Sequence, residues 1–305
     1  TELLKHLTGN SSKPLKLDPF FLKKGMNVIK ALHSYPSYPR ESYISMYEKR
    51  DFVQPYEWGI TEMSRGCKFK CDFCNFPILG VKGDYSRTQE DFEYEMRYNY
   101  DNFGITQYMI ADETFNDRPE KIRKFADVAE KLPFRPWFTA FIRADLLFTH
   151  RDTWDDLDRL GVAGQFYGIE TFNHASGKTV GKGMHPDKIK QGLLDYQKYQ
   201  EGKLYRGGMG MIIGLPHEDK LSILETRKWL LKNWKSNHLS PYVLDVGPDS
   251  EDHMMDFTNI SSFRRNLEKY GLSRMSAQDI EDYKNNNKQS KNLSLPYVYG
   301  EHTTD

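Results

Sequence analysis

The sequence predicts an α/β fold, an open partial (β/α)6 TIM-like barrel, on three observations. From Glu57 onward, short apolar or β-branched runs alternate with helical segments. Glycines follow several of those helical runs, where a left-handed C-terminal cap belongs. The alternation demands parallel pairing through right-handed crossovers.

The strand runs are 57–63, 105–111, 136–142, 164–170, 206–214 and 241–246. Helices fit at 88–103, 117–132, 152–160, 186–200 and 219–234. Asp117 with Glu120 resembles a capping box. Pro186 suits a first helical turn, where its missing N–H costs nothing. Gly104, Gly161 and Gly202 follow helical runs. Ile189, Leu193 and Tyr196 form one apolar stripe. This core is expected to occupy residues 56–247. An N-terminal extension, 1–55, precedes it. Within that extension Leu22, Met26, Ile29 and Leu32 recur at helical spacing, and residues 34–39 read as an irregular linker. After Pro248 the chain turns rich in Asn, Asp, Lys and Ser, so 248–305 reads as a helical or disordered extension.

Composition narrows the function. The chain has 305 residues, 38% of them apolar and 14% aromatic, enough for a sizeable core. Its 43 basic and 43 acidic residues balance, which disfavours nucleic acid as a partner. No apolar run of roughly 18 residues marks a membrane span, and no secretory signal begins at Thr1. A cytoplasmic protein is therefore expected. The chain begins without Met, which suggests trimming from a longer protein.

Its three cysteines lie together in Arg65-Gly66-Cys67-Lys68-Phe69-Lys70-Cys71-Asp72-Phe73-Cys74. An odd count is wrong for a disulfide framework, and the clustering points to a metal site. The C-x3-C-x2-C spacing sits just after the first expected strand. Three thiolates on one loop can ligate three corners of a cubane cluster. With no fourth cysteine, the last iron is open, held by another residue, or held by a small molecule. A zinc site completed by one of nine histidines is the alternative.

The segment resembles the signature of the radical S-adenosylmethionine (SAM) superfamily, C-x3-C-x-aromatic-C, with Phe73 as the aromatic. That resemblance implies a [4Fe–4S] cluster on Cys67, Cys71 and Cys74, its open iron chelated by SAM. Reductive cleavage would give a 5′-deoxyadenosyl radical that takes hydrogen from a substrate. Phe73 would pack near the adenine. Likeness is greatest to the branch that often carries a cobalamin-binding domain. Asp112 or Glu113, in Asp112-Glu113-Thr114-Phe115, would meet the SAM amino group. Arg143 would pair with its carboxylate. Glu170, in Gly168-Ile169-Glu170, would reach the ribose or the methionine portion. Lys182-Gly183 matches a further element before a helix. Gly210, Ile212 and Gly214, in Gly210-Met211-Ile212-Ile213-Gly214-Leu215-Pro216, would lay backbone against the adenine. Here the usual glycine–glutamate pair is replaced by His217-Glu218, and no role passes to His217. All these positions fall at carboxyl ends of expected strands, where barrel enzymes build their sites.

The resemblance also implies a low-potential electron donor of the flavodoxin or ferredoxin type, and a small-molecule or peptide substrate. The absence of further cysteines argues against auxiliary clusters and sulfur insertion. No Asp-x-His-x-x-Gly stretch is present, so cobalamin enters only through a missing domain. Two other readings remain: a fragment of a cobalamin-dependent methylase, and a non-catalytic metal-binding module with a fourth protein ligand.

Overall fold

The computed structural model describes residues 57–71, 74, 80–235 and 238–243, together with 20–23, 26–29, 45, 47–52, 272–274, 298–300 and the single positions 278, 281 and 285. The irregular linker at 34–39 lies outside the described residues, as does most of the C-terminal extension.

The first described segment corrects the sequence reading. Where helical spacing was expected, strands β1 (Phe20–Lys23) and β2 (Met26–Ile29) form an antiparallel pair, with Lys23 opposite Met26. Only Lys24-Gly25 separates them. A two-residue connection with glycine is a hairpin signal, and glycine inside a helix is unfavourable.

A six-stranded, wholly parallel sheet carries the site. It runs β3 (Gly59–Thr61), β4 (Gln107–Ile110), β5 (Trp137–Ile142), β6 (Val162–Glu170), β7 (Arg206–Ile213) and β8 (His238–Val243). Spatial order follows chain order, so each crossover returns beside the strand it left. This is the open partial barrel that the alternation predicts. The last strand begins three residues earlier than 241 and contains Pro241. As the final strand of the sheet it tolerates a residue that cannot donate to a ladder. A second antiparallel pair, β9 (Leu272–Arg274) with β10 (Val298–Gly300), lies in the C-terminal extension.

Helices α1 (Gln89–Phe103), α2 (Pro119–Ala129), α3 (Ala144–Thr149), α4 (Trp154–Leu160), α5 (His174–Thr179), α6 (Pro186–Tyr199) and α7 (Lys220–Asn233) connect these strands. Helices α3 and α5 have six residues each, too few to show a periodic stripe. Gly104 and Gly161 cap α1 and α4 with φ of 67° and 96°. Gly202 also has positive φ, but it lies beyond the C-cap of α6, which is Gln200. Pro186 opens α6, and Ile189, Leu193 and Tyr196 are buried beneath it. The expected capping box at Asp117 is absent. Arg118 is the N-cap of α2, with Pro119 behind it, and Asp117 is engaged elsewhere.

Strand periodicity separates two faces of the sheet. Tyr108, Ile110, Phe138, Ile142, Tyr167, Ile169, Met209 and Met211 point to one side and are buried, forming one core with residues of α1, α2, α4 and α6. Phe92 of α1 meets Phe125 of α2 edge-on at 5.1 Å. Each fully buried ring of this kind contributes roughly 1.5–3 kcal/mol. The opposite face carries Met109, Phe141, Phe166 and Gly168 and stays accessible, with Phe141 41% exposed. It is the lumen wall of the unclosed barrel.

Candidate active site

At the carboxyl ends of β3 to β6 the lumen narrows to a cavity of about 220 Å³. Cys67, Cys71, Cys74, Glu113, Arg143, Glu170 and Lys182 are among the residues lining it. All three cysteines are free thiols.

The loop that delivers them is pinned at both ends. Gly66 (φ 102°) and Gly80 (φ 72°) supply left-handed turns. Val81 N–H donates to Cys67 O at 3.2 Å, Gly80 N–H to Phe69 O at 3.2 Å, and Cys74 N–H to Cys71 O at 3.0 Å. A lone bridge, Ser64 with Ser86, closes the loop.

Asp112 holds the start of that loop and is buried, so of the Asp112–Glu113 pair only Glu113 lines the cavity. The Asp112 carboxylate accepts Met63 N–H at 2.7 Å, Ser64 N–H at 3.0 Å and the Ser64 hydroxyl at 2.5 Å. Lys121 sits 3.2 Å from Asp112 and 2.8 Å from Asp117. It also donates to Ser64 Oγ at 2.9 Å. Asp117 accepts the Tyr85 hydroxyl at 2.5 Å, and burial pushes that phenol far above its ordinary value. Two buried carboxylates thus share one buried ammonium, and the group fixes the strand-to-loop turn.

Its neighbour Glu113 does face the cavity. The walls displace water around it, and that desolvation, with the Asp112 charge behind, raises its carboxyl above the usual value. Thr114 places its hydroxyl 3.4 Å from Cys67 Sγ.

Arg143 caps the end of β5. Its Nε lies 2.8 and 3.0 Å from the two Asp145 oxygens. Nη1 donates to Cys71 Sγ at 3.4 Å and Nη2 to Gly181 O at 3.2 Å. The guanidinium stacks on Phe69, 3.8 Å from the ring centroid.

Glu170 has φ of 68°, a strained value for a side-chain-bearing residue. The β6–β7 register slips between Gly168 and Glu170. This bend places Glu170 3.3 Å from Lys182, which also donates to Gly168 O at 2.9 Å. A Cβ at Gly168 would lie 2.7 Å from Glu170 Oε1, so glycine there makes room for the pair.

Gly210, Ile212 and Gly214 do not line this cavity. Gly210 lies under the Phe166 ring, where a Cβ would stand 3.1 Å from Phe166 Cε1. Gly214 and Leu215 donate their N–H groups to buried Glu218 at 3.0 and 3.2 Å, and Thr171 donates its hydroxyl at 2.6 Å. The expected adenine neighbour Phe73 lies outside the described residues.

Sequence reasoning missed Phe69, Thr114 and Phe166. Phe166 had a signal: positions 166, 168 and 170 share one face of a strand. Phe69 and Thr114 had none beyond adjacency to named residues. A second cavity of about 730 Å³ continues along the lumen and shares Phe141 and Phe166 with the first.

Comparison with known proteins agrees with this arrangement. The Radical SAM superfamily profile matches residues 61–230, more than half the chain, so the protein belongs to the radical SAM superfamily. Members of this superfamily are enzymes that use SAM and a [4Fe–4S] cluster. No curated protein matches. Among solved structures, the chain is similar to the methyltransferase TsrM from Kitasatospora setae with cobalamin and [4Fe-4S] cluster bound. The identity is 14%, coverage is 85% of this chain and 52% of that one, and the TM-score is 0.61. It is also similar to the cobalamin-dependent SAM radical enzyme OxsB in its apo form. There the identity is 18%, coverage is 88% and 38%, and the TM-score is 0.54. These likenesses establish the fold. The chain spans about half the length of these structures, or less.

The donor set suits a cubane. Three thiols face one cavity, the sequence holds no fourth, and among the described residues no three His, Cys, Asp or Glu side chains converge on a single ion. A zinc site needs four ligands around one point. A cubane asks for one thiolate per iron, and three thiols would leave its last corner open.

Proposed function

We propose that this chain binds a [4Fe–4S] cluster on Cys67, Cys71 and Cys74 and cleaves SAM reductively to abstract hydrogen from a substrate in the lumen. The observation that carries this reading is the convergence of all three thiols, without a fourth, on a cavity walled by Glu113, Glu170 and Lys182. When bound, the cluster supplies one electron to the sulfonium, which yields methionine and a 5′-deoxyadenosyl radical.

The chain's own residues bind and shield. Glu113 is the carboxylate placed to receive the SAM ammonium. Lys182 offers a cation for its carboxylate, and Glu170 an acceptor for hydroxyl or ammonium protons. Phe141 and Phe166 stand where the two cavities meet and keep water from the reacting carbon. A substrate in the larger cavity would contact Met109, Phe166 and the glycines 164 and 208, a floor suited to a flat apolar portion. A small molecule or a peptide side chain fits that description. Electrons would come from a low-potential flavodoxin- or ferredoxin-type donor. Cobalamin chemistry would require a domain outside this chain.

The test is anaerobic reconstitution with iron and sulfide, then dithionite and SAM, with chromatography for 5′-deoxyadenosine. Product that disappears in C67A, C71A and C74A supports the reading. A fully loaded protein that makes none overturns it.

A further inference from the structure

Arg143 was expected to pair with the carboxylate of SAM, yet each of its three nitrogens already has a protein partner. Nε is taken by Asp145, Nη2 by Gly181 O, and Nη1 by the sulfur of Cys71. Phe69, from the loop between two of the cysteines, covers one face of the guanidinium. The side chain is only 8% exposed. Three separate chain segments therefore fix this cation against one particular sulfur.

We propose that Arg143 tunes the reduction potential of the cluster by hydrogen bonding to Cys71, and so acts as a positioning residue rather than a SAM ligand. This rests on the reading that Cys71 is a cluster thiolate. Hydrogen bonds to ligand sulfur are among the determinants of cluster potential. An N–H donor on a guanidinium withdraws charge from the thiolate more strongly than a neutral donor. Reduction adds one electron to the cluster, so its negative charge grows by one with no proton required. The cation beside the sulfur stabilises the reduced form more than the oxidised form. Asp145 weakens the effect without cancelling it, because it sits on Nε, on the far side of the guanidinium carbon from Nη1. Lys182 stays available to SAM, being held only by a carbonyl and by Glu170.

The experiment is a redox titration with dithionite, followed by electron paramagnetic resonance, on wild type, R143M and R143Q without SAM. SAM affinity is measured separately on the oxidised proteins. Removal of the cation is expected to make reduction at least tenfold less favourable. For a one-electron couple that moves the midpoint about 59 mV more negative. R143Q, which keeps a neutral donor, should fall between R143M and wild type. A wild-type midpoint in iron-replete R143M or R143Q overturns the inference while leaving the cluster assignment intact. So does a wild-type midpoint with lost SAM affinity, which would give the guanidinium to the cofactor. A wild-type protein that assembles no cluster removes both. Should R143M assemble poorly, R143Q alone decides by the same shift.

Discussion

Asp112→Ala tests whether a buried carboxylate, rather than the cysteines alone, shapes the cluster loop. The substitution orphans two buried N–H groups, of Met63 and Ser64, which now donate at 2.7 and 3.0 Å. Each unsatisfied buried donor costs roughly 1–3 kcal/mol. Lys121 keeps Asp117 at 2.8 Å, so its charge is not left bare and the full penalty of a broken buried pair does not apply. The expected loss is about 2–6 kcal/mol, a large fraction of a typical domain's stability. Asp112→Asn keeps an acceptor for both N–H groups and loses the charge toward Lys121, so about 1–3 kcal/mol is expected.

Urea unfolding under anaerobic conditions gives the stability, and iron per chain after reconstitution gives the loop geometry. D112A should lower the midpoint and lose most of its iron, with D112N intermediate in both. D112A with wild-type midpoint and iron content would refute the pinning argument. So would D112N with normal stability and iron but no SAM binding, since Asp112 would then face the cofactor.

Five further substitutions test three other features of the structure. Glu113 has a raised folded-state pKa, so the folded protein holds its proton more tightly than the unfolded chain. That stabilisation is present below the ordinary value of 4.5 and is lost as pH rises through the folded pKa. E113Q should therefore gain stability relative to wild type with increasing pH across that window, as measured by urea titrations at several pH values; a constant difference would contradict the burial argument. Gly104→Ala places its Cβ in open space and should cost only the left-handed strain, about 1–2 kcal/mol. Gly161→Ala puts a Cβ 2.2 Å from Pro136 O, backbone that cannot swing aside, and should cost clearly more by thermal unfolding. Glu218→Ala leaves Gly214 and Leu215 N–H without their acceptor, and about 2–4 kcal/mol of destabilisation is expected. Thr171→Val, which removes the hydroxyl that donates to Glu218 and accepts the half-buried Asn173 N–H, leaves both Gly214 and Leu215 N–H groups satisfied and should cost less in the same assay.

The parts of the fold that sequence revealed are those marked by the repeated alternation of strand and helix. Helices α1, α2, α4, α6 and α7 and the six parallel strands emerged because short apolar runs alternate with helical segments along the chain. Helices α3 and α5 are six residues long and carry no such repeat. The β1–β2 pair was misread because Leu22, Met26 and Ile29, at helical spacing, also fit two four-residue strands around Lys24-Gly25, while Leu32 lies outside the described residues. At the site, the cysteine spacing was legible because chemistry fixes it locally. Asp112 and Glu113 were not separable, since adjacent residues at a strand end differ only in which way each side chain turns. The buried partners Ser64 and Lys121 decide that, and they lie 48 and 9 positions away. The contact of Arg143 with the Cys71 sulfur was not legible, because 72 positions separate the two residues.

One division runs through the site and accounts for both outcomes. Behind the cluster loop, Asp112, Asp117, Lys121, Ser64 and Tyr85 satisfy one another and face away from the cavity. In front of it, Glu113 and the Glu170–Lys182 pair have few protein partners and face the cavity. A buried charge without partners is costly, so the first group makes sense only as scaffolding that is complete in itself. The front groups bear strain instead, in the left-handed backbone of Glu170 and the raised carboxyl of Glu113. A ligand bearing both an ammonium and a carboxylate would relieve that electrostatic mismatch on binding. The amino-acid portion of SAM carries both groups, so the polarity of the cavity supports the reading proposed from the thiols beside it.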